Sequence, residues 1–263
     1  MIIWIRIFYH PTGFVVRAYP RLSKYKLITI IIITYNRYPF LLRLLNFYDQ
    51  YNKKFNFLIL DSSSDKIDDS LKLYLESDNV TYMKFNSSTF FANKIADGCQ
   101  KLRTPYVVLC ADDDFLIPKG IIEGKNFLME NIDFSSAHGL YFNHTSSEVA
   151  QKRGFSIRAL YQNGRSSEQD SAEERLNAYL SGETGYYPMY AVHRTDLFQK
   201  IWSETKTYVF DWGLSELFPC ALSFIHGKMK VLPVFYSSRE PNTYIWFDET
   251  RLRKMYSEEK IKL

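Results

Sequence analysis

The run Lys26-Leu27-Ile28-Thr29-Ile30-Ile31-Ile32-Ile33 constrains the fold more than any other stretch of this 263-residue chain. Its β-branched residues favour extended backbone, and apolar residues do not alternate with polar ones. A strand without a polar face is covered on both sides, as in a parallel sheet sandwiched between helices. Parallel neighbours need crossover connections, and the sequence supplies them. After the loop Thr34–Pro39, Leu41, Leu44, Leu45 and Tyr48 recur at helical spacing. Phe55–Leu60 is a second strand, Asp61–Asp65 a loop, and a helix runs to about Glu76. Val80–Phe85 reads as strand, Phe90 to about Leu102 as helix, and Pro105–Cys110 as a fourth strand. Strand and helix in this rhythm define a doubly wound, mostly parallel α/β sheet. Ligands bind such sheets beyond the carboxyl ends of the strands.

The second half is less regular. Ser136–His144 reads as strand, and His144–Asp170 as a polar loop with Gly154 and Gly164. A helix is expected over Ala172–Leu180, and an aromatic strand over Gly185–His193. Leu214, Leu217, Ala221, Phe224 and Ile225 suit a helix that stops near Gly227; Met229–Phe235 is the last clear strand. The start, Met1–Phe8, suits an extra strand: it is too short for a membrane span and lacks a signal peptide's basic start and cleavage site. One domain over 1–263 is expected, with halves at 26–116 and 117–240 and a basic tail at 241–263. At 46% hydrophobic residues the chain can bury a large core, and no stretch of 18 uncharged apolar residues occurs, so a soluble protein is expected. The net charge of +4 does not call for a nucleic-acid partner. Cys99, Cys110 and Cys220 show no metal or redox spacing and fit small buried hydrophobes in a reducing cytoplasm.

Chemistry concentrates at three places where a predicted strand stops: Thr34–Arg37, Asp61–Asp65 and Asp112–Asp114. The last follows Tyr106–Ala111 with three consecutive carboxylates. In extended chain Asp112 and Asp114 face one side and Asp113 the other. Carboxylates that close resist joint ionisation, and a divalent cation carrying a diphosphate relieves them. The ordinary reading is a solvated loop before the helix after Pro118; the convergence of three such loops on one rim weighs against it.

In that order and spacing, Thr34-Tyr35-Asn36-Arg37, Asp61-Ser62-Ser63-Ser64-Asp65, Asn93-Lys94 and Val107–Asp114 resemble family-2-like glycosyltransferases with the GT-A (nucleotide-diphospho-sugar transferase) fold, of the bacterial surface-polysaccharide type. The resemblance covers about a third of the chain, with a looser match over Asp211–Arg239. It implies a central sheet flanked by helices with a C-terminal acceptor-side region. It implies a nucleotide-sugar site at Thr34, Tyr35, Asn36, Arg37, Asp61, Asn93, Lys94, Asp112 and Asp113. It also implies Mn²⁺ or Mg²⁺ at Asp114 with Asp112 beside it. The activity implied is transfer of a sugar, favoured as UDP-linked, to a hydroxyl of a glycan or lipid-linked acceptor, with inversion through a carboxylate base. Glu216 is the better match for that base and Asp211 the second choice. The competing readings are an inactive sugar-nucleotide or glycan-binding module and, less well matched, a sugar nucleotidyltransferase. The loop Thr34–Arg37 lacks the glycines that the nucleotidyltransferase requires.

Other residues carry two readings each. Arg239 suits an ion pair better than a phosphate contact. His193 and His226 suit structural histidines better than metal ligands. Tyr186, Tyr187, Tyr190 and Trp212 suit core packing, or stacking on sugar rings. The basic ends, Arg17, Arg21, Lys24 and Lys26, then Arg251, Arg253 and Lys254, suit solvated faces. The alternative for them is peripheral contact with anionic lipid at the inner face of a membrane.

Overall fold

A computed structural model describes residues 4–10, 13–19, 27–51, 55–144, 157–160, 165–184 and 188–239. The strands are β1 (Trp4–His10), β2 (Gly13–Tyr19), β3 (Ile28–Thr34), β4 (Asn56–Asp61), β5 (Val80–Lys84), β6 (Tyr106–Ala111), β7 (Phe115–Leu116), β8 (Phe134–His144), β9 (Ile157–Leu160), β10 (Val192–Arg194) and β11 (Lys228–Arg239). The helices are α1 (Tyr38–Asp49), α2 (Asp69–Leu75), α3 (Phe91–Cys99), α4 (Pro118–Glu130), α5 (Ala172–Leu180), α6 (Thr195–Tyr208) and α7 (Leu214–His226), with a 3₁₀ turn at Pro188–Tyr190.

Strands β1 and β2 form a separate antiparallel pair. The other nine make one sheet in the order β5-β4-β3-β6-β10-β8-β11-β7, with β9 on β8. Strands β5, β4, β3 and β6 are mutually parallel; β10 runs against β6 and β8, and β11 runs with β8. Six strands therefore share a direction, and β7, β9 and β10 oppose it. The continuous apolar run behaves as its composition demands. Ile28, Ile30, Ile31 and Ile32 of β3 are wholly buried, whichever face they point to. Leu41, Leu44, Leu45 and Tyr48 of α1 are buried too.

Several expectations are corrected. Of the aromatic stretch before His193, the described part from Pro188 to Tyr190 is a 3₁₀ turn rather than strand: Pro188 has no N–H for a ladder, and the described strand there is Val192–Arg194. Helix α6 was not anticipated, although Phe198, Ile201, Trp202 and Thr205 line its buried face. The loop expected over His144–Asp170 contains β9, which pairs Leu160 with Tyr141. Helix α2 begins later than expected, and its cap is Asp68, whose carboxylate accepts the Leu71 N–H at 2.8 Å. Glycines in this half serve close approach: a Cβ on Gly139 would lie 2.2 Å from the Val234 carbonyl oxygen, and one on Gly120 2.6 Å from that of Phe235. Gly139 faces the irregular stretch of β11 between Val231 and Phe235. The three cysteines are buried. No described helix is long and apolar enough to cross a membrane. Arg21, Lys24, Lys26, Tyr186, Tyr187 and the tail from 240 onward lie outside the described residues.

Candidate functional site

Register brings the three loops together. Thr34 ends β3 opposite Asp61, the last residue of β4, and Ile33 sits opposite Ala111, the last of β6. The Thr34 hydroxyl donates to Asp112 Oδ2 at 2.7 Å. Asn36 takes the left-handed conformation (φ 52°) that asparagine tolerates better than most residues. Its N–H donates to Ser63 Oγ at 2.7 Å, and its Oδ1 accepts the Ser64 N–H at 2.8 Å. The loops after β3 and β4 are thus zipped into one rim, and Tyr35 stands exposed on it.

Asp61 lies beneath that rim, wholly buried. Its Oδ2 accepts from the Tyr38 hydroxyl at 2.8 Å, the Tyr82 hydroxyl at 2.7 Å and Lys84 Nζ at 2.8 Å. Its Oδ1 accepts the Ser63 N–H at 2.7 Å. Burial alone would raise this carboxyl, but the hydrogen bonds from Lys84, Ser63 and Tyr82 hold it below the ordinary range. The structure therefore uses Asp61 as the knot joining α1, β4 and β5.

The three acids form a turn rather than extended chain: the Asp114 N–H donates to the Ala111 carbonyl at 3.3 Å. Strand alternation does not apply there, and Asp113 does not point away as expected. Arg37 pairs with Asp112 and, at 2.9 Å, with Asp113. Arg239, at the end of β11, donates its Nε–H to Asp114 Oδ2 at 2.8 Å, so its expected ion pair is present. Arg43 Nη2 donates to the Asp113 carbonyl at 3.1 Å. Asp112, Asp113 and Asp114 are all buried. Burial pushes the Asp112 carboxyl up to about 6, against the pull of Arg37 and Thr34.

Lys94, on α3, is buried rather than solvated. Its Nζ donates to the Thr34 carbonyl at 3.1 Å and to Ser62 Oγ at 3.0 Å, and burial lowers it to about 8. It braces the rim from below, while neighbouring Asn93 is half-buried.

The second half adds one acid to this region. Glu216 reaches solvent but is crowded by protein on its other sides; the crowding raises its carboxyl above the ordinary range, and Arg239 pulls the other way. The buried Tyr190 hydroxyl feels Glu216, Arg239, Asp114 and Asp113 together, so these groups share one region. The Arg239 guanidinium lies 5.1 Å from the centre of the Tyr190 ring. Asp211 is exposed and accepts the Leu214 N–H at 2.9 Å, at the start of α7. Trp212 stacks on Phe91 at 5.9 Å with 44% of its surface exposed, so it is only partly core. His193 is buried, with Nε2–H 2.7 Å from the Pro188 carbonyl, and His226 ends α7. A recess of about 510 Å³ lies against α1, lined by Arg43, Phe47 and Phe115, and it borders the acidic turn through Arg43 and Phe115.

Tyr38, Tyr82, Lys84 and Arg43 were not foreseen. Tyr82 and Lys84 carried a signal: they alternate on β5, and Lys84 is in register with Asp61.

Comparison with solved structures finds the same fold in proteins of low identity. S. aureus TarS residues 1–349 superposes with a TM-score of 0.54 at 14% identity, over 81% of this chain and 60% of that one. The same fragment in complex with UDP-GlcNAc gives 0.54 at 14%, over 82% and 59%. A longer S. aureus TarS structure gives 0.55 at 15%, over 81% and 36%. The chain thus spans at most about 60% of the length of these structures. No curated protein matches the sequence. The sheet order, with its parallel half and its rim of strand ends, is the GT-A fold. Residues 29–202, more than half of the chain, match the family described as glycosyl transferase family 2. On that match the chain belongs to glycosyl transferase family 2.

Proposed function

We propose that the protein transfers a sugar from a nucleoside-diphosphate sugar to a hydroxyl group of a glycan or lipid-linked acceptor of bacterial surface-polysaccharide type. The observation that carries the reading is the convergence of Thr34, Arg37 and the buried acids Asp112–Asp114 on one rim, with Glu216 in electrostatic range of Arg239, the partner of Asp114. A UDP-linked donor is favoured because a similar fold holds UDP-GlcNAc. Thr34, Tyr35, Asn36 and Arg37 border the nucleotide, with Asn93 and Lys94 behind them. Asp61 contributes by fixing the loop of Ser62 and Ser63.

The donor set suits Mg²⁺ or Mn²⁺, which prefer oxygen ligands and commonly bind through one or two carboxylates plus substrate phosphates. Among the described residues no group of three or more His, Cys, Asp or Glu is arranged to hold a metal. Asp114 would hold the cation, with Asp112 beside it. The bound cation supplies charge stabilisation at the leaving diphosphate.

Glu216 removes the acceptor proton, which suits a solvent-reaching carboxyl raised by the protein crowded around it. Attack opposite the leaving group inverts the anomeric centre. Asp211 as the base would surrender the bond it accepts from the Leu214 N–H. The three buried, free cysteines support a reading of the reaction as cytoplasmic, with the basic ends of the sequence read as a contact for anionic lipid. The test is a panel of UDP-sugars with Mn²⁺ and candidate acceptors. Formation of UDP that Asp114→Asn abolishes is expected. Donor binding without UDP formation for any acceptor would leave a binding module instead.

A further inference from the structure

Two arginines distant in sequence form ion pairs with the acidic turn, while Arg43 binds its backbone at the Asp113 carbonyl. Arg37 takes Asp112 and Asp113; Arg239 takes Asp114. The Asp114 side chain is only 7% exposed, so one of its oxygens is spoken for inside a shielded site. A cation that binds Asp114 meets a guanidinium there first. We propose that Arg239 is a built-in counter-ion that occupies the cation's place at Asp114 and yields it only when a diphosphate arrives.

Three aspartates face the Arg37 and Arg239 guanidinium groups, with the Arg43 guanidinium on the Asp113 carbonyl and Glu216 as a further acid in electrostatic range of Arg239. A lone divalent cation at Asp114 would share the site with a displaced Arg239 and gain little. A cation arriving with a diphosphate brings negative oxygens that the displaced guanidinium can bind, and arginine suits phosphate better than most side chains. The cation and the diphosphate then bind cooperatively, and the coupling free energy resides partly in Arg239. Arg239 is a positioning residue in this scheme. Its place over the Tyr190 ring, held by the Tyr236 hydroxyl at 2.7 Å from the Tyr190 carbonyl, keeps the guanidinium at the rim.

The inference rests on the transferase reading but is tested without a sugar. Free Mn²⁺ is followed by electron paramagnetic resonance while Mn²⁺ alone is titrated into the full chain and its Arg239→Gln and Arg239→Lys variants. UDP is then added. Removing a charge-assisted hydrogen bond that competes with the cation tightens Mn²⁺ binding by about tenfold in Arg239→Gln. Arg239→Lys, which keeps the charge, lies between the two. The gain disappears when Asp114→Asn is added, and UDP improves Mn²⁺ binding less in Arg239→Gln than in the parent. Mn²⁺ binding that is unchanged, weaker or undetectable in both Arg239 variants overturns the proposal. If Arg239→Gln tightens Mn²⁺ but UDP binds none of the proteins, the counter-ion role stands and the transferase reading fails. If the parent binds UDP with Mn²⁺ but the variants gain nothing with Mn²⁺ alone, the reverse holds.

Discussion

Replacing Asp61 with asparagine separates a structural role from a ligand-binding one. The carboxylate is wholly buried and takes four donors, three of them on Oδ2. Asparagine has one acceptor oxygen, so its amide group meets either the Ser63 N–H or the cluster of Tyr38, Tyr82 and Lys84. The side chain of Lys84 is 44% exposed, so solvent screens its share. The tyrosines and the Ser63 amide carry the rest. Hydrogen bonds to a charged acceptor are worth about 1.5–3 kcal/mol each, and two are lost or weakened. Asp61→Asn therefore costs about 4 kcal/mol, and Tyr82→Phe about 1–2 kcal/mol. The measurement is urea unfolding without any nucleotide, followed by circular dichroism at neutral pH. The sign in acid follows from the depressed carboxyl. Its stabilisation is present above the ordinary carboxylate range and is lost as pH falls through the lower folded-state value. The gap between Asp61→Asn and the parent should narrow below about pH 4. A cost under about 1 kcal/mol at neutral pH, with nucleotide binding lost instead, would refute the reasoning.

Three further outcomes are expected. His138 and His193 are buried, and burial lowers each to about 4. The unfolded chain takes up protons near 6.5 while the folded one does not, so stability declines as pH drops from about 6.5 towards 4, by up to about 3 kcal/mol per ring. Urea midpoints across that range check this, and His138→Gln should flatten the slope. Gly139→Ala forces a Cβ against the Val234 carbonyl and should cost about 2–3 kcal/mol, read as a lower melting temperature. Thr34→Val removes the hydroxyl that orients Asp112; sugar transfer should fall about tenfold, with the melting temperature shifted by only a few degrees.

What could be read in the sequence was the half built from local signals. The apolar runs of β3, β4 and β6 declared buried parallel strands, and the polar residues where they stop fell on one rim because parallel strands align their ends. Thr34, Arg37 and the acidic turn could therefore be singled out, although the orientation of Asp113 could not, because a turn breaks the period of two. The rest depends on distant pairing. Arg239 reaches Asp114 because Ser238 lies opposite Phe115 across β11 and β7, and nothing near either residue announces that register. Strand β9 is similarly defined by its partner β8. Helix α6 had a legible period in Phe198, Ile201, Trp202 and Thr205, but the aromatic residues before it suggested an extended chain and hid its start. The fourfold engagement of Asp61 needed α1, β4 and β5 to be assembled first.

The central claim is that the acidic turn at the strand ends binds a nucleoside diphosphate through a divalent cation. Calorimetric titration of UDP into the parent and Asp114→Asn proteins, each with and without Mn²⁺, tests it most directly. The parent should bind at least about tenfold more tightly with Mn²⁺ than without, and Asp114→Asn should lose that gain while still unfolding in one cooperative transition. Equal UDP affinity in all four titrations, or none in any, would contradict it.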